Sequence, residues 1–344
     1  MIKFGRLFHT AVLIVIVAIA VILGGCTGGN PGDGAQESEN GSSSQDGSNG
    51  QSNNGNGQSN NGNGQGSSDQ NGTGDPSDAG TAKCEIIAFS IGKADSILIS
   101  SGNVNILIDT GEEDDAEYIC DKLKERGVGK LDLIVVTHFD KDHAGGFPKI
   151  LQEFGADNVY YPDYADTRDP YMAFRRAISD RGNDGKITAN TEYAKGSIRL
   201  AVYPETNPKA LREKSDDYEN DMSLVCMLYF KDYRFFFAGD IEKERTDEIL
   251  EAAEESAAGG DSGIDLACDW IKMPHHGRYN KKLKKLLDAC SPSYAVVTDS
   301  DDQIAETDTL IELQKRKVKT FSTRNGEVVT TIDESGISVE NRAE

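Results

Sequence analysis

From residue 83 to its end, the chain places its hydrophobic residues at two kinds of spacing. Short apolar runs separated by Gly-containing turns predict β-strands, and apolar residues at every third or fourth position predict amphipathic helices. Ala116, Ile119, Cys120 and Leu123 have the helical spacing, and Gly127 ends that segment. The region therefore contains both kinds of element.

The predicted elements alternate throughout this region. Strands are predicted at 84–89, 96–100, 104–109, 131–136, 198–203, 223–230, 233–238, 270–273, 294–298, 318–321 and 328–332. Besides the helix at 116–123, helices are predicted at 147–154, 170–179, 242–257, 280–289 and 305–315. The second half of this region repeats the alternation of strands and helices predicted for the first half. We therefore expect one domain, 83–344, of mixed α/β class with two sheets packed face to face and helices outside.

The first 25 residues have the pattern of a secretory signal. Lys3 and Arg6 precede an apolar run from Thr10 to Leu23, which is shorter than a membrane span. Small residues then precede Cys26, as in a bacterial lipoprotein cleavage box, so Cys26 is the predicted lipidation site. An uncleaved membrane anchor is the alternative. Either way, we expect a bacterial protein that is tethered to a membrane outside the cytoplasm.

Residues 26–82 form a predicted linker. From Thr27 to Ala82 the chain is mostly Gly, Asn, Ser, Gln and Asp, without an aromatic residue, lysine or arginine. Such a composition cannot build a core, and we predict a flexible coil that holds the domain away from the membrane. The formal net charge of −22 argues against broad nucleic-acid affinity, although it leaves room for a local basic groove.

Four of the five histidines lie in two short clusters that follow predicted strands. His138 and His143 flank Asp140 and Asp142 after the strand at 131–136, and His275-His276 follows the strand at 270–273. Core packing would scatter histidines along the chain, so this grouping favours a metal site. A surface pair remains the alternative for His275-His276.

Two further aspartates follow predicted strands. Asp240 comes after Ala238-Gly239, where a metal ion would offset the burial of its carboxylate. Asp109 opens an Asp-Thr-Gly sequence, but an aspartic protease needs two such aspartates and would leave the histidines unexplained. We interpret Asp109 as a residue that supports the metal ligands, and an ordinary turn remains the alternative at both positions.

Several of these motifs together resemble a metallo-β-lactamase-fold hydrolase, and most closely the hydrolase domain of ComEC-type competence proteins. The motifs are 91–96, 109–111, 137–146, 219–225, 238–240 and 271–277. The resemblance implies a four-layer αββα sandwich. It also implies one or two divalent metal ions, with His138, Asp140 and Asp240 at one site and Asp142, His143, His275 and Asp240 at the other.

The chain departs from that family pattern at three places. Asp140 replaces a histidine usual in the wider superfamily, which makes Mn²⁺ as suitable as Zn²⁺. The usual middle histidine is missing, and Asn220 or Asp221 stands near its place, so we expect the first site to be weakly occupied or to need substrate oxygens to complete it. Asp221 is predicted as a supporting residue. Arg278 stands where Ser is usual, and 298–302 replaces an expected Asn- and His-containing stretch.

The leading hypothesis is metal-dependent hydrolysis of a phosphodiester, with DNA as one candidate substrate. Asp142 would orient the attacking water and His276 would contact the substrate or protonate the leaving group. Arg278, Lys281 and Lys282 could bind phosphates, although a solvated helix face explains them equally well. The alternatives are hydrolysis of another envelope ester, such as a phosphorylcholine group, and a metal-binding module without catalytic activity.

Overall fold

A computed structural model describes residues 83–179, 185–260 and 263–343 of the chain. All of them belong to one compact unit, Gln70–Glu344. The predicted signal, the lipidation site at Cys26 and the predicted linker lie outside the described residues. Within the described ranges, no helix is both long enough and apolar enough to span a membrane.

The first sheet contains eight strands in the order β15-β14-β1-β2-β3-β4-β5-β6. Neighbouring strands are antiparallel from β15 to β3, whereas β3, β4, β5 and β6 run parallel. Their bounds are Cys84–Ala88 (β1), Ile97–Ser101 (β2), Val104–Ile108 (β3), Leu131–Val135 (β4), Ala156–Pro162 (β5), Lys186–Ile187 (β6), Glu327–Asp333 (β14) and Gly336–Arg342 (β15).

The second sheet contains seven strands in the order β13-β12-β11-β10-β9-β8-β7. β7 to β10 pair as antiparallel neighbours, and β10 to β13 run parallel. Their bounds are Thr191–Lys195 (β7), Ile198–Tyr203 (β8), Val225–Phe230 (β9), Tyr233–Phe237 (β10), Trp270–Lys272 (β11), Tyr294–Val297 (β12) and Lys319–Ser322 (β13).

The α-helices of the described residues connect these strands. They are Ala116–Glu125 (α1), Lys141–Ala144 (α2), Phe147–Phe154 (α3), Asp169–Ser179 (α4), Pro208–Lys214 (α5), Tyr218–Asp221 (α6), Lys243–Ala257 (α7), Leu283–Cys290 (α8) and Thr307–Lys315 (α9). A parallel strand pair needs a crossover connection, and α1 provides it between β3 and β4.

The core has three apolar layers because successive residues of a strand point to opposite faces. Ile86 of β1 and Phe237 of β10 point into the space between the sheets. Ile87 of β1 packs with α1, α3 and α4 on the outer face of the first sheet. Phe236 of β10 packs with α7, α8 and α9 on the outer face of the second. The layers are thus helix, sheet, sheet and helix, which confirms the αββα sandwich expected from the sequence.

The hydrophobic pattern located the central strands and the longer helices to within a few residues. It missed the strands β5, β6, β7 and β15 and the short helices α2, α5 and α6. β7 and β15 lie at sheet edges, and exposed polar side chains recur along both strands. They therefore lack the apolar runs that marked the central strands.

Candidate metal centre

The candidate centre lies where loops from both sheets meet. β3 and β4 run parallel in the first sheet, and β10, β11 and β12 run parallel in the second, so their carboxyl ends lie at one edge of each sheet. A hydrogen bond of 2.8 Å from Leu224 N to Thr137 O joins the two sets of loops. The loops carry Asp109 after β3, residues 137–143 after β4, Asp240 after β10, residues 274–277 after β11 and Thr298 after β12.

Several residues of these loops have a left-handed backbone conformation, which side chains other than glycine rarely adopt. Asp109, His275 and His276 have φ of 59°, 44° and 52°. Gly239 has φ of 57°, and a Cβ at this position would lie 2.8 Å from the Ser223 Cβ. Each non-glycine residue in such a conformation costs about 1–3 kcal/mol, so the surrounding structure must hold these loops in place.

The side chains of two histidine motifs and two aspartates converge here. The His143 Nε2 lies 3.3 Å from the Asp240 Oδ1 and 3.3 Å from the His276 Nε2. The His276 Nε2 lies 3.1 Å from the Asp240 Oδ2 and 3.5 Å from the Asp142 Oδ2. Ligand atoms of His138, His143 and Asp240 lie within 4.8 Å of one another, as do those of Asp142, His143 and His276. Each group is compact enough for one ion.

Hydrogen bonds around Thr137 determine which nitrogen of His138 faces the centre. The Thr137 hydroxyl lies 2.8 Å from the Asp109 Oδ2 and donates its single hydrogen to that carboxylate. It therefore accepts from the His138 Nδ1, which lies 3.1 Å away. The His138 Nε2 is then left with a free lone pair. It is buried and has no hydrogen-bond partner among the described residues.

The other two imidazoles of the centre are also fixed through Nδ1. The His143 Nδ1 lies 2.9 Å from the Asp109 Oδ2, and the His276 Nδ1 lies 2.9 Å from the backbone oxygen of Thr298. A neutral imidazole that donates from Nδ1 presents the Nε2 lone pair to the centre, which is the arrangement typical of metal-binding histidines.

The charges in this cluster strongly affect its protonation. Burial lowers the pKa of His138 well below its usual range, so this imidazole is neutral. Burial opposes the charging of His143 and His276 too, but several carboxylates together outweigh it and raise the pKa of both. These are Asp240 with Asp109 for His143, and Asp240 with Asp95 and Asp142 for His276. These imidazoles in turn hold the pKa of Asp240 well below its usual range despite burial. A divalent cation would replace their protons as the counter-charge.

The donor set suits a divalent metal ion. It combines imidazole nitrogen with carboxylate oxygen, which Zn²⁺, Mn²⁺ and Fe²⁺ accept. The buried His138 Nε2, which lacks a hydrogen-bond partner in the described part of the chain, is the atom that such an ion would satisfy. His138, His143, Asp142, Asp240 and His276 are therefore the residues that could hold it.

Asp95 and Lys272 form a buried ion pair beside these ligands. The Lys272 ammonium contacts the Asp95 carboxylate directly and lies 3.3 Å from the Asp240 Oδ1 and 3.2 Å from the Gly239 oxygen. Both side chains are almost completely buried. The centre thus contains a fixed positive charge of its own, next to Asp240, a residue of the second sheet's loops that contacts His143 of the first sheet's loops.

The comparisons with known proteins agree with this arrangement. Residues 91–211 match the family model described as the metallo-beta-lactamase superfamily. This match covers the strand-to-loop segment that carries His138 to His143, and the described domain has the two packed sheets and outer helices. The domain has the metallo-β-lactamase fold.

Among curated proteins, the chain is 25% identical over 220 residues to competence protein ComA of Neisseria gonorrhoeae, covering 62% of this chain and 26% of that protein. It is 21% identical over 235 residues to ComE operon protein 3 of Bacillus subtilis, covering 62% and 28%. The chain thus spans about a quarter of the length of these relatives. Among solved structures, the metallo-beta-lactamase fold protein YhfI of Bacillus subtilis is similar at a TM-score of 0.46 and 9% identity, covering 75% of this chain and all of that one.

The placement of the two adjacent histidines differs from the sequence-based expectation. The resemblance placed His275 among the ligands and gave His276 a role toward the substrate. In this metallo-β-lactamase fold, His276 lies inside the cluster with Asp142 and Asp240. The His275 Nδ1 lies 2.9 Å from the Glu242 Oε1, and its Nε2 lies 3.8 Å from the Asp240 Oδ2. Both residues have a left-handed backbone conformation, which the sequence does not reveal.

Asp140 and Asp221 are also absent from the compact groups of the described residues. The Asp140 Oδ1 is paired with Arg168 at 2.8 Å, and Asp140 belongs to none of the compact groups found among the described residues. The Asp221 carboxylate accepts hydrogen bonds from Ser215 and from the backbone nitrogens of Glu242 and Arg245. It therefore supports the loop that carries Glu242 rather than a ligand. Asp109 contacts His143 directly, as a supporting residue should.

The predicted phosphate-binding residues lie near His275 but are not equivalent. Arg278 lines a small cavity of about 150 Å³ together with His275, Glu242 and Glu306. Lys281 is exposed, whereas Lys282 is ion-paired with Asp247 on α7. Arg278 is thus the residue of this set that borders a cavity beside the centre.

Sequence reasoning missed Asp95 and Lys272 as members of the site. Asp95 lies in the 91–96 motif, whose role could not be assigned from one sequence. Lys272 interrupts the apolar run Trp270–Met273, and a charged residue in a buried strand is a signal that could have indicated a buried partner. The partner itself could not be identified, since Asp95 belongs to the other sheet.

Proposed function

We propose that this domain is a metal-dependent hydrolase of phosphodiesters, with DNA as the first candidate substrate. The observation that carries the proposal is the buried cluster of His138, His143, Asp142, Asp240 and His276, whose ligand atoms converge at the loop edge of a metallo-β-lactamase fold. A divalent ion bound by these residues would supply Lewis acidity, to activate water and to offset charge on phosphate oxygens.

Asp142 is suited to orienting water rather than to removing its proton. Despite burial, and without a bound ion, the hydrogen bond from protonated His276 and the nearby charges of His143 and Lys93 hold the pKa of Asp142 far below its usual range. With an ion bound, the ion and Lys93 would supply that positive charge. A carboxylate of such low basicity accepts a hydrogen bond but retains a proton poorly. His276 lies in the same cluster with its Nδ1 fixed by Thr298, so we assign it to ligation rather than to protonation of the leaving group.

Basic side chains beside the ligand loops support an anionic substrate. Lys93 pairs with Asp142 at 2.9 Å, Arg168 pairs with Asp140, and Arg278 borders the cavity next to His275. Arginine is well matched to phosphate because its guanidinium group can form two parallel hydrogen bonds. In a chain of net charge −22, these three residues are cations beside the ligand loops that could bind a phosphate group.

The substrate class is tested on a panel with the purified full chain and added Mn²⁺ or Zn²⁺. The panel contains bis-p-nitrophenyl phosphate, single- and double-stranded DNA, and p-nitrophenyl phosphorylcholine as the envelope-ester alternative. We expect cleavage of bis-p-nitrophenyl phosphate and of DNA. The KM should be higher in Arg278→Ala and should change little in Lys284→Ala, which is the control on the exposed side of α8. Cleavage of the phosphorylcholine ester alone would contradict the phosphodiester assignment.

One observation favours a second candidate, a metal-binding module without efficient turnover. Because the Asp140 carboxylate is paired with Arg168, it is not free to act as the ligand that the family resemblance implies. If this pairing limits metal loading, Arg168→Ala should increase the metal-to-protein ratio measured by mass spectrometry. Arg176→Ala, an exposed arginine on the neighbouring helix α4, should not. Tight metal binding without hydrolysis on the whole panel would favour this candidate.

We further propose that the domain acts outside the cytoplasm, anchored through a lipid on Cys26. The signal-like residues 1–25 and the small residues before Cys26 support this location. In cells that express the chain, a palmitate analogue should label the protein, and Cys26→Ser should abolish the label. Cys120→Ala, which removes a buried cysteine of the domain, should retain it. Equal labelling of Cys26→Ser would contradict the anchor.

A further inference from the structure

Two buried cysteines meet beside the segment that carries the second histidine motif. Cys268 lies two residues before β11, and Cys290 is the last residue of α8. The backbone nitrogen of Cys268 donates to the backbone oxygen of Cys290 at 2.9 Å. The Cys268 thiol, together with burial, raises the pKa of the Cys290 thiol well above its usual range, so the two side chains interact.

The neighbouring backbone keeps the two cysteines in register. The oxygen of Asp269 accepts hydrogen bonds from Ser293 at 2.9 Å and from Tyr294 at 3.1 Å, so the chain before β11 lies along the chain after α8. A disulfide needs Cα atoms about 4.4–6.8 Å apart and Cβ atoms that face each other. The direct backbone hydrogen bond between Cys268 and Cys290, and their place in the same core layer, bring the two residues close enough for such a bond to be proposed.

The other three cysteines of the described residues lie elsewhere in the core. Cys120 is on α1 at the outer face of the first sheet, and Cys84 and Cys226 lie on β1 and β9 between the sheets. Cys268 and Cys290 share the third core layer, between the second sheet and its helices. Their pairing would therefore not need any rearrangement of the sheets.

We propose that Cys268 and Cys290 form a disulfide under oxidising conditions, and that this bond closes the segment that carries Lys272, His275, His276 and Arg278. The oxidant is a small-molecule or protein disulfide such as oxidised glutathione. One cysteine thiolate attacks it to form a mixed disulfide and release one thiol. The second cysteine then loses its proton, attacks the mixed disulfide and releases the second thiol. The two cysteines lose two electrons, and the oxidant gains them.

The consequence of the bond is local. A cross-link between positions 268 and 290 limits the unfolded chain and keeps β11 and α8 together, with the left-handed turn at 275–276 between them. Both thiols are buried, so the bond forms while the chain folds or when this segment opens briefly. The bond does not depend on the proposed hydrolase function, because its partners belong to the core rather than to the ligand cluster.

The test uses the purified full chain, unfolded in denaturant and refolded in a buffer of reduced and oxidised glutathione. Free thiols are then blocked with N-ethylmaleimide, and the linked peptides are identified by mass spectrometry. We expect a peptide pair joined through Cys268 and Cys290. Thermal unfolding of this oxidised protein should occur roughly 5–10 °C higher than after treatment with dithiothreitol.

Two variants make the test specific. Cys290→Ala should remove the difference in unfolding temperature between the oxidised and reduced protein, whereas Cys120→Ala should keep both the link and the difference. If Cys290→Ala folds poorly, the peptide map of the wild-type protein still shows whether Cys268 and Cys290 are linked. Recovery of Cys268 and Cys290 as separately blocked thiols, or their linkage to other cysteines, would overturn the proposal.

Discussion

At the scale of single residues, the four histidines of the domain share one arrangement. Each Nδ1 atom faces an oxygen: that of Thr137 for His138, Asp109 for His143, Glu242 for His275 and the Thr298 backbone for His276. Such partners fix the ring orientation and the tautomer. The ability of the centre to bind metal therefore depends on residues that do not themselves face the ion.

Thr137→Val tests this dependence on a supporting residue. The substitution keeps the branched shape but removes the hydroxyl that donates to Asp109 and accepts from His138. We expect metal affinity to fall about 10–100-fold, measured by competition with a chelating dye, without loss of the fold. Thr330→Val is the matched control, because the Thr330 hydroxyl is buried without a hydrogen-bond partner among the described residues. Equal affinity in both variants would show that Thr137 does not orient the ligand.

Lys272→Met tests the fixed positive charge. The substitution leaves the Asp95 and Asp240 carboxylates buried without the cation that they share. In the presence of a chelator, the free energy of unfolding in urea should therefore be about 3–5 kcal/mol lower than in the wild type. The variant should also gain more stability than the wild type when metal is added, because the ion supplies the missing charge. The double variant Lys272→Met/Asp95→Asn should recover part of the loss. A loss under 1 kcal/mol in Lys272→Met would contradict this role.

At the scale of elements, the sequence predicted what depends on local periodicity. The apolar runs of β1 to β4 and of β8 to β12 marked the buried strands, and the cluster after β4 was expected at a strand end. The edge strands β7 and β15 lack such runs and were missed. The exchange between His275 and His276 and the Asp95–Lys272 pair depend on backbone conformation and on contact between the sheets, which no local pattern contains.

Asp221 provides a test at this scale, because it is the last residue of α6 and supports the first turn of α7. Burial raises its pKa to about 6 from 3.8, although hydrogen bonds from Ser215, Glu242 and Arg245 oppose this. The folded state therefore holds the proton more tightly than the unfolded state does. The contribution of this carboxyl to the free energy of unfolding should fall as pH rises from about 4 to about 6, and then stay constant.

Asp221→Asn removes this titration. The free energy of unfolding, measured in urea at several pH values, should decline less between pH 4 and 6 in the variant than in the wild type. Asp301→Asn, at an exposed aspartate, should follow the wild-type curve. A variant curve parallel to the wild type through this range would show that Asp221 does not titrate there.

At the scale of the whole molecule, the metallo-β-lactamase fold brings one sheet edge of each half together, so that ligands from residues far apart in the chain reach one point. His138 to His143 come from the first sheet, and Asp240 and His276 come from the second. The sequence motifs that resemble this family imply the same arrangement. The chain spans about a quarter of the length of the competence proteins that it resembles, so their complete activities are not transferred to it.

The central claim, that Asp240 joins both halves of a metal centre, is tested most directly by metal content. The full-length wild type, Asp240→Asn and the control Asp301→Asn are purified, stripped with a chelator, incubated with Mn²⁺ or Zn²⁺, and desalted before mass spectrometric metal analysis. We predict at least one ion per chain in the wild type and in Asp301→Asn, and less than one tenth of that in Asp240→Asn, with its near-ultraviolet circular dichroism unchanged. Wild-type metal content in Asp240→Asn, or a metal-free wild type, would contradict the assignment of this centre.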